Sequence, residues 1–150
     1  FPFHDATFDA ATSEMVFEHV PSPTCAAKEL RRVIRPGGRI HIAVPFLFPW
    51  HPSPSDYTRW THEGLRGLFP GCTVIEEGVL CGPFSAFTAC ASAFLATVLC
   101  FGSRRLQEVL QYLFLVIFIP VKLFDVIFAR LPGAERCAAG IYTVFETPDS

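Results

Sequence analysis

The sequence has few features that assign a functional class directly. Its six cysteines form no C-x-x-C pair and no zinc-ligand spacing, so we predict free thiols in a reducing compartment and no metal site. The 12 basic and 14 acidic residues are scattered and give a net charge of −2, which argues against nucleic acid as a partner. The one glycine pair, Gly37-Gly38, precedes a strand-like run, whereas a nucleotide-binding loop lies between a strand and a helix.

Residues 78–103 contain no charged side chain, and the chain as a whole is rich in hydrophobic residues. Hydrophobic residues make up 51% of the 150 residues, and the mean hydropathy of +0.37 is high for a soluble domain. A chain of this length can form one domain with its own core. We expect part of the chain's apolar surface to be covered by something other than water.

A helix, a tight turn and a buried strand are predicted by the stretch LRRVIRPGGRIHIAVPF, residues 30–46. Pro36 disfavours the helical conformation in the residue before it, and Gly37 suits the positive φ of a type II turn. The β-branched and apolar run that follows predicts a strand covered on both faces, as in a parallel sheet. Upstream, Ser22 and Pro23 predict a helix start with the serine as its cap.

The remaining segments complete an α/β pattern. Strands are predicted at residues 8–13, 72–77 and 141–147, and a helix capped by Thr61 is predicted at residues 61–69. Residues 45–60 are rich in proline and therefore irregular, and they follow the carboxyl end of the buried strand. Open α/β sheets place their ligands at that end.

Two apolar segments, residues 84–101 and 109–129, precede the last predicted strand. They could cross a membrane, lie in its interface, or cover the sheet or another subunit as ordinary helices. Two crossings would place Arg104-Arg105 on the far side, against the positive-inside tendency, and Lys122 and Asp125 would add a further cost. We therefore expect a helical hairpin lying at the membrane surface, with soluble packing or oligomerisation as the alternative.

Several motifs together resemble one enzyme family. Residues 2–10, Glu18-His19-Val20 and the stretch LRRVIRPGGRI are similar to the middle of the class I S-adenosylmethionine-dependent methyltransferases, the methyltransferase type 11 branch in particular. The family pattern reads LPF-x-D-x-x-FDA, then EHV or HHV, then a helix ending RVLRPGG and a strand. Residues 56–65, DYTRWTHEGL, resemble the D-Y-x-R-[FW]-T-x-E-G-L stretch of a subset of these enzymes.

The resemblance implies a partial Rossmann-like methyltransferase sheet. The family order is 3-2-1-4-5-7-6, and this chain would supply strands 4-5-7-6, with a hydrophobic helical hairpin inserted before the last strand. Residues 1–80 would form the carboxyl-terminal half of the methyltransferase core, residues 81–133 the insertion, and residues 134–150 the final strand and tail. The family's glycine-rich loop, which holds S-adenosylmethionine, is absent, so we expect part of a longer enzyme that is not competent alone.

The family pattern also implies roles for three residues near the first strand. Ser13 and Glu14 would end that strand beside the cofactor, and His19 would lie near the transferred methyl group. Methyl transfer depends mainly on in-line placement of the acceptor, and a general base helps only where the acceptor must lose a proton. His19 could instead be a helix residue hydrogen-bonded to backbone.

The proline-rich loop supplies the other candidates. His51 and Asp56 are candidate catalytic bases, and Arg59 could pair with an anionic group of the substrate. Tyr57 and Trp60 are predicted to bind substrate with Arg59. In the alternative interpretation, Asp56 and Arg59 tie the loop together while Tyr57 and Trp60 pack beneath it.

The sequence therefore predicts a fragment of a methyltransferase that acts on a small-molecule or lipid-linked acceptor. We expect it in the cytoplasm, peripheral to the inner face of the membrane, with contact through residues 84–129. The alternative is a non-enzymatic, membrane-associated interaction module that retains half of an α/β sheet.

Overall fold

The computed structural model of the chain describes residues 1–52 and 54–149. Its strands are β1 (Phe8–Glu14), β2 (Ile34–Pro45), β3 (Thr73–Cys81) and β4 (Gly140–Glu146). Its helices are α1 (Pro23–Val33), α2 (His62–Leu68), α3 (Pro83–Leu99), α4 (Arg104–Ile117), α5 (Ile119–Lys122) and α6 (Asp125–Phe128). Short 3-10 turns lie at Phe17–His19 and Ala134–Cys137. Ser53, in the predicted irregular loop, lies outside the described residues.

The four strands form one sheet in the order β1-β2-β4-β3. This is the order implied by the resemblance, with the strands in the places of family strands 4, 5, 7 and 6. β1 and β2 are parallel. Thr147, directly after β4, accepts from the backbone N–H of Gly37 and donates to the carbonyl oxygen of Gly38, an exchange typical of antiparallel strands. The predicted fold is confirmed, with helices α3 to α6 inserted between β3 and β4.

The predicted turn after α1 exists, but it lies inside β2. Gly37 has the expected positive φ of 67°. The register jumps here, because Phe8 lies opposite Ile34 while Ala10 lies opposite Arg39. The turn therefore forms a bulge that absorbs extra residues on β2, and the strand begins directly where α1 ends.

Two other local expectations need correction. Ser22 precedes α1 as predicted, with Pro23 at the first turn, but its side chain makes no capping hydrogen bond. β3 continues through Gly78, where the sequence predicted its end. A Cβ at Gly78 would lie 3.1 Å from the ring of Tyr142, so the glycine lets the two strands approach closely rather than ending one of them.

Contacts divide the chain into two compact units. Unit 1 consists of Phe1–Phe46, His51–Gly78 and Ile141–Ser150, and unit 2 of Leu47–Trp50 and Val79–Gly140. The division into residues 1–80, 81–133 and 134–150 stays a prediction. In unit 1, the described residues confirm that β2 is covered on both faces, since successive residues from Ile42 to Val44 are 0% exposed. The rings of Phe69 and Phe145 stack in this core with centroids 4.6 Å apart.

Unit 2 is built on the long apolar helix α3. Asp125 accepts hydrogen bonds from the backbone N–H groups of Phe84 and Ser85, over 2.9 and 2.8 Å, at the start of α3. Its carboxylate thereby satisfies donors that a helix start leaves free and complements the positive end of the helix dipole. Sequence reasoning treated Asp125 only as a cost to membrane insertion, whereas in the fold it caps the start of α3.

The second apolar segment is broken rather than continuous. α4 ends before Pro120, and the part from Ile119 to Phe128 is bent by 51° from it. Neither α4 nor α5 nor α6 has a buried residue. Within the described residues, no single helix combines the length and hydropathy needed to cross a bilayer, and only this bent pair together reaches them.

Candidate functional site

The loop after β2 folds back onto the helical turn that follows β1. Met15 has a φ of 52°, which leads the chain out of β1 and into the turn Phe17–His19. The backbone N–H of Tyr57 donates to the carbonyl oxygen of Glu18 over 2.7 Å. Because β1 and β2 are parallel, this contact lies at the carboxyl end of both strands, the usual ligand side of an open α/β sheet.

Five side chains come together at this contact, and we refer to them as the Glu18 cluster: Glu18, His19, His51, Asp56 and Arg59. The sequence predicted four of them as site residues, and the structure brings those four together. The rings of His19 and His51 meet edge to face, with centroids 5.2 Å apart and planes at 84°. Their catalytic and binding roles stay predictions.

Asp56 holds the loop in place. Its side chain is 1% exposed and accepts hydrogen bonds from both terminal nitrogens of Arg59 and, over 2.9 Å, from the backbone N–H of His51. The Arg59 guanidinium holds the pKa of the Asp56 carboxyl well below its usual range, aided by the His51 hydrogen bond, and the pKa of Arg59 is raised in return. A carboxyl this acidic stays ionised and is a weak base.

The two histidines are oriented through their Nδ1 atoms. Nδ1 of His19 lies 2.5 Å from the carbonyl oxygen of Ser55, and because a carbonyl oxygen only accepts, Nδ1 must carry the proton. In the neutral ring, Nε2 then has the lone pair, and it lies 3.7 Å from Oε1 of Glu18. Nδ1 of His51 lies 3.3 Å from Oδ2 of Asp56, and its Nε2 lies 4.0 Å from the same Glu18 oxygen.

Glu18 is the residue that sequence reasoning missed. Its side chain is 0% exposed, and neither carboxylate oxygen accepts a hydrogen bond from any described residue. A buried carboxylate without hydrogen bonds is costly and needs an explanation. The signal was available, because Glu18 is the acidic residue of Glu18-His19-Val20 and is flanked by the apolar Val16 and Phe17.

The other predicted residues lie at the edges of this arrangement. Ser13 is half-buried and Glu14 exposed at the end of β1, opposite Ile42 and Ala43 of β2. Tyr57 is 57% exposed. Trp60 is half-buried, and a Cβ at Gly64 would lie 3.3 Å from its ring, so Trp60 packs on the first turn of α2. The indole N–H of Trp60 is buried without a hydrogen-bond acceptor among the described residues.

Known proteins are similar to this chain over part of their length. Residues 1–42 match the family described as a methyltransferase domain. Demethylmenaquinone methyltransferase of Streptomyces avermitilis is 40% identical over 65 residues, which are 43% of this chain and 28% of that protein. The enzyme of the same name from Beutenbergia cavernae is 34% identical over 67 residues, 45% of this chain and 28% of that protein. The chain thus aligns with less than a third of these relatives.

Solved structures match almost the whole chain at low sequence identity. Phosphoethanolamine N-methyltransferase 2 of Haemonchus contortus, in complex with S-adenosyl-L-methionine, has a TM-score of 0.54 at 15% identity and covers 99% of this chain and 35% of that one. The [4+2]-cyclase SpnF has a TM-score of 0.56 at 15% identity and covers 100% of this chain and 53% of that one. At such identity the similarity establishes the Rossmann-like fold.

Proposed function

We propose that this chain is part of a class I S-adenosylmethionine-dependent methyltransferase and that the Glu18 cluster is the acceptor side of its methyl-transfer site. The observation that carries this proposal is the orientation of two imidazoles, through Ser55 and Asp56, toward one point at the carboxyl end of β1 and β2. Groups held in this way can position an acceptor and take up its proton.

The residues of this chain supply only part of a cofactor site. Ser13 and Glu14 would contact S-adenosylmethionine at the end of β1, but the sequence has no glycine-rich loop between a strand and a helix. We therefore predict that this chain alone binds the cofactor weakly or not at all, and calorimetric titration with S-adenosylmethionine tests this. Tight one-to-one binding would contradict it.

Within the cluster we assign different roles to the two histidines and to the Asp56 carboxylate. His19 and His51 are the candidate bases, since each ring directs its Nε2 toward the centre of the cluster. Asp56 is more acidic than a useful base, so we assign it to holding the His51 ring in place rather than to proton uptake. Tyr57 and Trp60 would contact the acceptor, and Arg59 would hold Asp56 ionised.

A hydrophobic ring compound is the acceptor class that we favour. The similar enzymes from Streptomyces avermitilis and Beutenbergia cavernae are named for demethylmenaquinone, a lipid-soluble quinone. Unit 2 supports contact with a lipid phase, because α4 exposes apolar side chains on one side and begins with Arg104 and Arg105. We propose that α4 to α6 lie on the surface of a membrane from which such an acceptor is drawn.

The test is methyl transfer by the full-length gene product. We expect S-adenosylhomocysteine to form with a lipid-soluble hydroquinone and not with phosphoethanolamine. His51→Gln should lower kcat about 100-fold or more. His41→Gln is the matched control, since His41 contacts Thr12 on the sheet instead. Full activity of His51→Gln would contradict the assignment.

A non-enzymatic interaction module remains the second candidate. The specific observation in its favour is the exposed apolar surface of α4 to α6, which suits binding without catalysis. The [4+2]-cyclase SpnF, whose fold this chain shares, is named for a different reaction. A methyltransferase-like sheet is therefore compatible with another activity or with none. Membrane binding by a full-length protein that transfers no methyl group to any acceptor would favour the module.

A further inference from the structure

We propose that Glu18, His19 and His51 bind one divalent transition-metal ion, with Zn²⁺ as the expected occupant. Oε1 of Glu18 and one nitrogen of each imidazole all lie within 4.8 Å of one another. The proposal rests on this geometry and on the burial of the Glu18 carboxylate, and it does not depend on methyl transfer. A bound ion would occupy Nε2 of both histidines, so the two rings could act as bases only while the site holds no ion. The proposal contradicts the sequence-based expectation that the chain has no metal site.

The separations suit a small ion after modest adjustment. Nε2 of His19 and Nε2 of His51 lie 3.7 and 4.0 Å from Oε1 of Glu18. A tetrahedral ion with bonds of about 2.0–2.1 Å separates its ligands by about 3.4 Å. The two nitrogens would therefore have to approach Oε1 by about 0.3 and 0.6 Å. They lie within 4.8 Å of each other, so they would have to close on one another by at most about 1.4 Å, which rotation of the side chains can supply.

The buried carboxylate is the independent reason to expect a cation. Glu18 is 0% exposed and accepts no hydrogen bond from a described residue, and both nearby nitrogens are too distant to donate one. The Arg59 guanidinium is close enough to interact with the Glu18 charge, but a buried carboxylate that accepts no hydrogen bond still carries a desolvation cost on the order of several kcal/mol. A bound divalent ion would offset that cost.

The outer contacts of both imidazoles are those of metal ligands. A metal-binding histidine commonly donates its second ring N–H to a carbonyl or carboxylate, which fixes the tautomer and the ring orientation. His19 does so toward the carbonyl oxygen of Ser55, and Nδ1 of His51 faces the carboxylate of Asp56. Both arrangements direct Nε2 toward Glu18.

The ligand set selects the class of ion and leaves room for a further ligand. Two imidazoles and one carboxylate suit zinc and other transition metals, whereas Mg²⁺ and Ca²⁺ prefer oxygen ligands. Three protein ligands leave at least one position for water or for an oxygen of an acceptor. The side chains of His19 and His51 are 20% and 36% exposed, so an ion could enter from solvent.

The experiment is a titration of the chain, carrying no polyhistidine tag and no cofactor, with Co²⁺ and Zn²⁺. Co²⁺ reports its ligands by visible absorption, and a strong near-ultraviolet thiolate band would reveal binding at the six free cysteines instead. We expect one equivalent to bind without that band. Glu18→Gln and His51→Ala should each weaken binding at least 100-fold, and Asp56→Asn about 10- to 100-fold.

His41→Ala is the matched control, because it removes an imidazole that contacts Thr12 and Tyr142 rather than the cluster. It should bind Co²⁺ as the unchanged chain does. Circular dichroism establishes that each variant is folded. The proposal is overturned if the folded chain binds no Co²⁺ or Zn²⁺ at millimolar concentration, if Glu18→Gln binds them unchanged, if a thiolate band accompanies binding, or if Mg²⁺ binds more tightly than Zn²⁺.

Discussion

The Glu18 cluster and the helices α4 to α6 each carry an unfavourable free-energy term, and the two terms are of opposite kinds. The cluster buries a carboxylate that accepts no hydrogen bond from a described residue, whereas the helices expose apolar side chains, with Val109, Tyr112 and Val116 between 63% and 72% exposed. A fold selected only for stability would avoid both. The contrast suggests that each region is completed by something it binds: a cation in the first case and a lipid surface in the second.

The two regions also differ in how firmly they are held. In the cluster, Asp56 joins Arg59, His51 and, through the loop, the turn that carries Glu18. In α4 to α6, no residue is buried. Substitution of Asp56, which joins these parts, should therefore cost stability, while substitutions on the exposed helical surface should change binding and leave stability almost unchanged.

The largest expected effect is the removal of the Asp56 carboxylate. Asp56→Ala should lower the free energy of unfolding by about 2–3 kcal/mol, because it removes the buried charge-assisted hydrogen bonds that Asp56 accepts from Arg59 and from the His51 backbone N–H. Urea denaturation followed by circular dichroism measures this. Glu63→Ala, which removes an exposed carboxylate that pairs with Arg66, should have a much smaller effect. Equal losses in the two variants would contradict a special role for Asp56.

The stability supplied by Asp56 should disappear in acid. Its pKa is lowered in the fold, so its contribution is complete above the unfolded value of about 3.9 and is lost as the pH falls toward the folded value. The difference in unfolding free energy between the unchanged chain and Asp56→Asn should therefore shrink as the pH falls from about 5 to about 2, from about one unit above the unfolded value to about two units below it.

The carboxylate of Glu29 titrates in the same pH range, so its contribution to stability must be distinguished from that of Asp56. Arg32 and the amino terminus lower the pKa of Glu29 to about 2. This group is exposed, so high salt should screen its contribution while leaving that of Asp56 largely intact. A difference between the two proteins that stays constant with pH would show that the Asp56 pKa is not lowered.

Much of unit 1 could be predicted because local rules and long-range packing agree there. Pro36 and Gly37 predict a turn, which forms as a bulge inside β2, and the apolar run after them is the buried part of that strand. The end of β3 could not be predicted, because the close approach of Tyr142 to Gly78 involves a residue 64 positions away. His19, His51, Asp56 and Arg59 were found through motif and loop composition.

Glu18 was missed for a related physical reason. An acidic residue beside a histidine in a short turn is usually solvated, so the apolar neighbours of Glu18 were not sufficient to predict its burial. The return of the loop through Tyr57 and Ser55 covers the turn that carries it. Asp125 was misjudged in the same way, because its partners at the start of α3 lie 40 and 41 residues earlier in the sequence. In both cases the environment of the charge depends on the tertiary fold.

A smaller loss of stability is expected at Asp125, a charged residue of unit 2 that does accept hydrogen bonds. Asp125→Ala should lower the stability of the chain by about 1 kcal/mol, because Phe84 and Ser85 lose a charged acceptor at the start of α3. Thermal unfolding monitors this loss, and Glu108→Ala in the exposed part of α4 is the control. Asp125→Asn should retain part of the stability, since an amide oxygen still accepts a hydrogen bond. A gain in stability on removal of Asp125 would contradict its role as a cap.

The smallest change in stability, and the sharpest test of the contrast, is expected at Val116. It lies on the same side of α4 as Val109 and Leu113 and is 63% exposed, so Val116→Asp should shift the unfolding free energy by less than about 0.5 kcal/mol. It should nevertheless reduce binding to phosphatidylglycerol-containing vesicles several-fold in co-sedimentation, because a charge cannot enter the apolar part of the interface.

Gln111→Asp is its matched control, since it adds the same charge about 200° around the helix from Val109 and should leave vesicle binding unchanged. If the unchanged chain ignores vesicles and Val116→Asp instead converts an oligomer to a monomer in light scattering, the exposed surface of α4 binds another copy of the chain rather than lipid. In that case the Glu18 cluster would be completed by an ion and the helices α4 to α6 by another protein chain.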